Sequence, residues 1–178
     1  MSQSQSTARY QRSASGMVGA MVVLVGIVLA WVAVKAIAFD QPPAPARVVD
    51  YALSVPAARA AADFDLVAPP RLPEGWRAST VRFTPGSEAH WHLGVLTEQS
   101  RYVGLEQADD PVRSMVAEYV DEEAIRGEPV DVAGVSWATY TDSGGDLALV
   151  RRAGRTTTLV VGHEVPRSEL LAYTASLR

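Results

Sequence analysis

The chain has no cysteine and no asparagine, and it carries one lysine, Lys35, against 15 arginines. Without cysteine there is no disulfide, no thiol nucleophile, no thiolate metal site and no lipid-modified cysteine anchor. Any folded domain must therefore be held by its core alone. With its only lysine inside an apolar run, the chain has no lysine nucleophile and no lysine clamp for a phosphate. The nucleophile elbow G-x-S-x-G, the phosphate-binding loop, the H-E-x-x-H zinc helix and the dinucleotide glycine fingerprint are all missing. Positive charge is also scarce where it would matter. From Asp40 onward there are 13 basic and 20 acidic residues, a balance of −7. That segment has no electrostatic footprint for nucleic acid or anionic lipid.

What the chain does have is one long apolar run. Met17 to Phe39 reads MVGAMVVLVGIVLAWVAVKAIAF, and its first 18 residues carry no charge. As a helix this stretch would measure about 33 Å, against a hydrocarbon core of about 30 Å. The expectation is a transmembrane helix over 17–39 whose partner is the lipid bilayer. Arg9 and Arg12 precede it and all acidic residues follow it, so the N-terminus is expected in the cytoplasm and the rest outside the cell. Two rival readings exist. Ala36-Ile37-Ala38 fits a signal-peptide cleavage pattern, but the run is longer than the usual apolar core of such a peptide. A buried core helix would show a polar stripe, and none interrupts the run.

The chain divides accordingly: a polar tail over 1–16, the apolar run over 17–39, a Pro/Ala-rich linker over 40–75, and a domain over 76–178. In the linker, Pro56 is expected to begin a short helix. From Trp76 onward the pattern turns to short alternating segments. Strands are expected at 77–83, 90–97, 102–107, 128–132, 135–141, 146–152 and 156–162, with turn signals such as Ala133-Gly134 and Ala153-Gly154-Arg155 between them. Helices are expected at 111–120, capped by Asp109 or Asp110, and at 166–177. The fold class is α+β: one N-terminal transmembrane helix, then a curved antiparallel sheet of six to seven strands with helices packed on one face, in the order β-β-β-α-β-β-β-β-α.

Parity fixes one hairpin more closely. Trp91, Leu93 and Val95 must share a face with Val103 and Leu105, because a one-residue slip would turn one set outward. A three-residue loop, Glu98-Gln99-Ser100, pairs Leu93 with Leu105 and places His92 opposite Glu106.

The sharpest polar constellation follows from that register. His90 and His92 point the same way from one strand, as metal ligands can, and Glu106 faces them. Glu88 or His163 would have to complete a metal site. The simpler account is a polar sheet face with two surface histidines and one charge pair, because zinc takes three or four placed ligands. His90, His92, Tyr102 and Glu106 are the candidate face for a partner or ligand, with no catalytic residue, metal or cofactor assigned. Trp76, Trp91 and Trp137 read as core. Asp121-Glu122-Glu123 reads as a solvated face and Asp142 to Asp146 as a hairpin turn. Arg151, Arg152 and Arg155 flank a turn, where they would meet an anionic partner or simply face water.

Three stretches together resemble a known family. They are Leu72-Pro73-Glu74-Gly75-Trp76-Arg77, His90-Trp91-His92-Leu93-Gly94 with Tyr102-Val103-Gly104-Leu105-Glu106-Gln107, and the close from Glu169-Leu170-Leu171 to Arg178. As a set they are similar to an uncharacterised actinobacterial family of single-pass membrane proteins, described only as a domain of unknown function. The skew toward arginine resembles the coding bias of a GC-rich bacterial genome. The second half, Val130 to Leu147, also resembles extracytoplasmic domains of anti-sigma-type regulators, although the N-terminal tail is too short for a sigma-binding domain. The resemblance implies no catalytic role. The expected function is a membrane-anchored extracytoplasmic binding domain at the bacterial cell envelope, with an envelope protein or the cell wall as partner and no nucleic acid. The alternatives are an envelope hydrolase using Glu106 or His92, or a sensor or regulator accessory acting through a membrane partner.

Overall fold

The computed structural model describes residues 49–178 continuously and, before them, Gly19, Met21, residues 23–28 and Trp31. The chain forms two compact units, residues 1–45 and 46–178.

In the first unit every described residue is helical. The expected transmembrane helix is not found there. Among the described residues no helix is long and apolar enough to cross a membrane. The rest of the run, the polar tail and residues 40–48 lie outside the described residues.

The second unit is built on an eight-stranded antiparallel sheet. The strands are β1 (Arg77–Thr84), β2 (His90–Leu96), β3 (Tyr102–Ala108), β4 (Ile125–Arg126), β5 (Val130–Val132), β6 (Val135–Thr141), β7 (Leu147–Ala153) and β8 (Thr156–Gly162). Their spatial order is β1-β2-β3-β8-β7-β6-β4, with β5 also paired to β6. Three helices accompany them: α1 (Tyr51–Ala61), α2 (Val112–Tyr119) and α3 (Arg167–Ala175). The strand count exceeds the expected six to seven because Ile125–Arg126 pairs with Thr141 and Tyr140. Both of its residues are exposed, so no alternation marks it in the sequence.

The helices do not share one face, which corrects the second part of the expected architecture. Tyr51, Val55 and Ala58 of α1 and Leu170 and Tyr173 of α3 pack with Trp91, Leu93, Leu105, Leu149 and Val160. On the opposite face, Met115 and Val116 of α2 pack with Ala148, Val150, Leu159 and Val161. β7 and β8 are therefore buried on both sides, which is why Leu147-Ala148-Leu149-Val150 is a continuous apolar run.

The β2–β3 register is the one parity requires: His92 faces Glu106, Leu93 faces Leu105 and Val95 faces Val103. Ser100, at φ 61°, takes the left-handed position of the connecting turn, and its N–H donates to Thr97 O at 2.9 Å.

Residues 49–75 fold onto this sheet. α1 begins before Pro56, not at it: the Asp50 carboxylate accepts from Ala52 N at 3.2 Å, and Pro56 sits inside the helix. Burial of Tyr51, Val55 and Ala58 offsets the one missing backbone bond. Leu66 and Ala68 are buried in the same core. Buried Gln107 fastens this segment: its Oε1 accepts from Val67 N at 2.7 Å, and its Nε2 donates to Asp65 O at 3.2 Å and Thr158 Oγ1 at 3.0 Å. Ala68 and Arg178 exchange backbone hydrogen bonds at 3.0 and 3.2 Å. Trp76 stacks on the buried Tyr173 at 5.7 Å. Trp91 and Trp137 are core residues as expected.

Candidate functional site

On the α2 side, the half of the sheet formed by β1, β2 and β3 carries polar side chains in cross-strand rows. Arg82 faces His92, which faces Glu106; Thr84 faces His90. The strands place these residues on one surface because each pair is directly opposed and alternation is unbroken.

Glu106 is 2% exposed, the most buried carboxylate of the domain. His92 Nδ1 donates to its Oε1 at 2.6 Å. His90 Nε2 lies 3.0 Å from its Oε2, but without hydrogen-bond alignment, so that oxygen has no aligned donor. The same His90 Nε2 is 3.3 Å from the Tyr119 hydroxyl, and the two rings stack at 5.8 Å. Burial first, and then the neighbouring Glu118 carboxylate, pushes the Tyr119 phenol pKa up.

Tyr102 lies flat across two glycines. A Cβ on Gly94 would sit 2.9 Å from the Tyr102 hydroxyl and 3.2 Å from Ser79 Oγ, and one on Gly104 would sit 3.2 Å from Tyr102 Cε1. Gly94 and Gly104 face each other across β2 and β3, so the ring fills the space both leave open. Burial, and secondly the charge of Glu106, pushes the Tyr102 phenol up to about 12. An irregularity in β1 between Ala78 and Thr80 brings Ser79 over the same glycine.

The four candidate residues are thus arranged as follows. His90, His92 and Glu106 form one bonded cluster. Tyr102 lies beside them within electrostatic reach of Glu106, and its ring is tilted against that of His163 with centroids 5.6 Å apart. His163 does not join the cluster. Its Nδ1 donates to Asp146, whose other oxygen accepts from Glu164 N at 3.1 Å. Glu88 lines a separate cavity with Ser87, Asp109 and Asp110, which only His90 borders from the cluster. Among the described residues no group of three His, Asp or Glu side chains is placed to hold a metal ion.

Sequence reasoning missed Tyr119, Arg82 and Ser79. Tyr119 lies four residues after Met115, on the apolar side of α2, so helical spacing alone would have turned it toward the sheet.

Chemically, the cluster holds His92 with Nδ1 on a carboxylate and its Nε2 lone pair directed away. Arg82 and the Tyr102 hydroxyl stand near it without a hydrogen-bond partner among the described residues.

The chain belongs to the family described as protein of unknown function DUF4245, which matches across residues 9–177. No curated protein and no solved structure matches it.

Proposed function

We propose that residues 49–178 form an extracytoplasmic interaction domain at the envelope of an actinobacterial cell, and that it takes its partner on the α2 side of β1, β2 and β3. One observation carries this reading. A carboxylate is buried under two histidines in a strand position where an apolar side chain would stabilise the fold at less desolvation cost. Groups that break the local rule in this way are expected where function requires them. The glycine pair, the flattened Tyr102 and the unpaired Arg82 extend the same surface. The apolar sequence of residues 17–39 supports the envelope location, and the skew toward arginine supports the source.

The test is site-specific photocrosslinking in cells. A photoreactive residue at Arg82 should give a discrete adduct that disappears with His92→Ala. The same residue at Arg59, in α1 on the opposite face, should give none. Identical adducts from both positions, or none from Arg82, would overturn the assignment of the face. Protease accessibility of residues 49–178 in intact spheroplasts tests the location.

A second reading is favoured by the 2.6 Å His92–Glu106 bond. A carboxylate-oriented histidine is also a general base, which would suit an envelope hydrolase. Turnover of cell-wall fragments that is lost in Glu106→Gln with folding intact would favour it.

A further inference from the structure

On the opposite face of the sheet, a cavity of about 130 Å³ lies between the ends of β6, β7 and β8 and the segments carrying Val67 and Leu177. It belongs to a transverse row of side chains: Trp91 faces Gln107, Gln107 faces Thr158, and Thr158 faces Arg151. The Arg151 guanidinium stands over the Trp137 ring, 5.7 Å from its centroid.

The lining of the cavity contains two arginine side chains, Arg151 and Arg178, and no acidic side chain. Arg178 is turned back on α3, donating to Ala175 O and Leu177 O, both at 2.9 Å. Arg151 is half-buried and has no carboxylate within ion-pair reach among the described residues, where the salt bridges are made by other groups. A half-buried guanidinium gives up part of its hydration, and the ring face of Trp137 offsets part of that loss. Thr158 is 6% exposed and lines the same space. Its oxygen already accepts from Gln107 Nε2 at 3.0 Å, and its own proton has no acceptor among the described residues. The remaining wall is apolar, formed by Val67, Val132, Val135 and Leu177.

We propose that this cavity binds a small carboxylate with a short hydrocarbon tail. The planar fork of Arg151 matches a carboxylate in two parallel hydrogen bonds. The Thr158 hydroxyl supplies a third donor, and the valines and Leu177 take the tail. The volume is comparable to that of an engineered core cavity that accepts benzene, so the ligand has about six heavy atoms. A phosphate or sulfate would leave the apolar wall unused. The site is separate from the His–Glu–His surface and stands or falls independently of it.

The test is titration of the ¹⁵N-labelled full chain, followed at the Trp137 indole N–H, which Trp137→Phe identifies. Butyrate should give a saturable shift, and butyramide, its neutral isostere, should not. Arg151→Gln should weaken butyrate by at least about tenfold and Thr158→Val by about threefold to tenfold, as loss of a charge-assisted or a neutral hydrogen bond implies. Arg152→Gln, an exposed neighbour, should change nothing. If Arg151→Gln does not fold, Arg151→Lys replaces it; keeping the charge but losing the fork, it should bind with intermediate affinity. N-acetylalanine, a larger acid that mimics a peptide end, tests the size limit: it should bind more weakly than butyrate, and tighter binding would overturn the small-acid reading. Equal shifts with butyramide, unchanged affinity in Arg151→Gln, or no saturable shift with any of the acids would overturn the proposal.

Discussion

Replacing Gln107 by leucine tests whether residues 62–68 are fastened to the sheet by one side chain. The substitution nearly conserves volume at a position 2% exposed, so packing changes little. It removes three hydrogen bonds, to Val67 N, Asp65 O and Thr158 Oγ1. The Asp65 carbonyl is on an exposed residue and recovers a partner from water. The half-buried Val67 N–H does not, which costs about 1–3 kcal/mol, and the lost bond to Thr158 adds about 1 kcal/mol. The expected loss is therefore about 2–4 kcal/mol. Urea unfolding of the full chain, followed by tryptophan fluorescence, should show the midpoint fall with an unchanged slope. Thr158→Val, which removes only one of the three bonds, should lose about 1 kcal/mol. The double variant should lose less than the sum, because the two residues share that bond. Hydrogen exchange at Val67 N–H should quicken more than at strand amides. A Gln107→Leu midpoint within error of the parent would refute the fastening role, since orphaning a half-buried amide cannot be free.

Three further outcomes are expected. The Tyr102 phenol, pushed from 10.0 to about 12, favours the fold in its neutral form. That contribution is complete below pH 10 and is lost as pH rises from 10 to about 12. Tyrosinate absorbance should accordingly show a late step missing from Tyr102→Phe. Gly94→Ala places a methyl 2.9 Å from the Tyr102 hydroxyl and should displace the ring. Thermal unfolding should show a loss of about 1 kcal/mol, and the same substitution should cost clearly less in a Tyr102→Ala background, where the ring it collides with is gone. Leu105→Ala, at a fully buried position between Leu93 and Val160, should cost about 2–5 kcal/mol in the same urea assay. A cost below about 1 kcal/mol would show that the core on that face is not closely packed.

Much of the sheet was legible because alternation and turn chemistry agreed. Trp91-x-Leu93-x-Val95 and Val103-x-Leu105 admit one register, and that register brought His92 to Glu106. The errors have physical causes as well. Ile125–Arg126 is too short and too exposed to alternate. Pro56 looked like a helix start because the rule for proline speaks of the first turn, whereas Asp50 and three buried side chains carry α1 through it. Helices on both faces were signalled by the unbroken apolar runs of β7 and β8, which only doubly covered strands require. The Arg151 cavity was not legible as a cavity, although Arg151 is among the arginines that read as able to meet an anionic partner. Its lining comes from segments joined only by cross-strand pairing, and in sequence Arg151 is one of two adjacent arginines beside a turn.

The unequal cover of the sheet has a dynamic consequence. β8 lies between α2 and α3, while β1 has only α1 on one face and no strand beyond it. Local opening should therefore begin at β1 and β2 and reach β8 last. The proposed partner surface occupies the part of the sheet that opens first. A partner binding there would slow amide exchange in the very strands it touches, and would raise the resistance of that edge more than that of the centre. The domain would thus report occupancy as a change in the ease with which one side of its sheet comes apart.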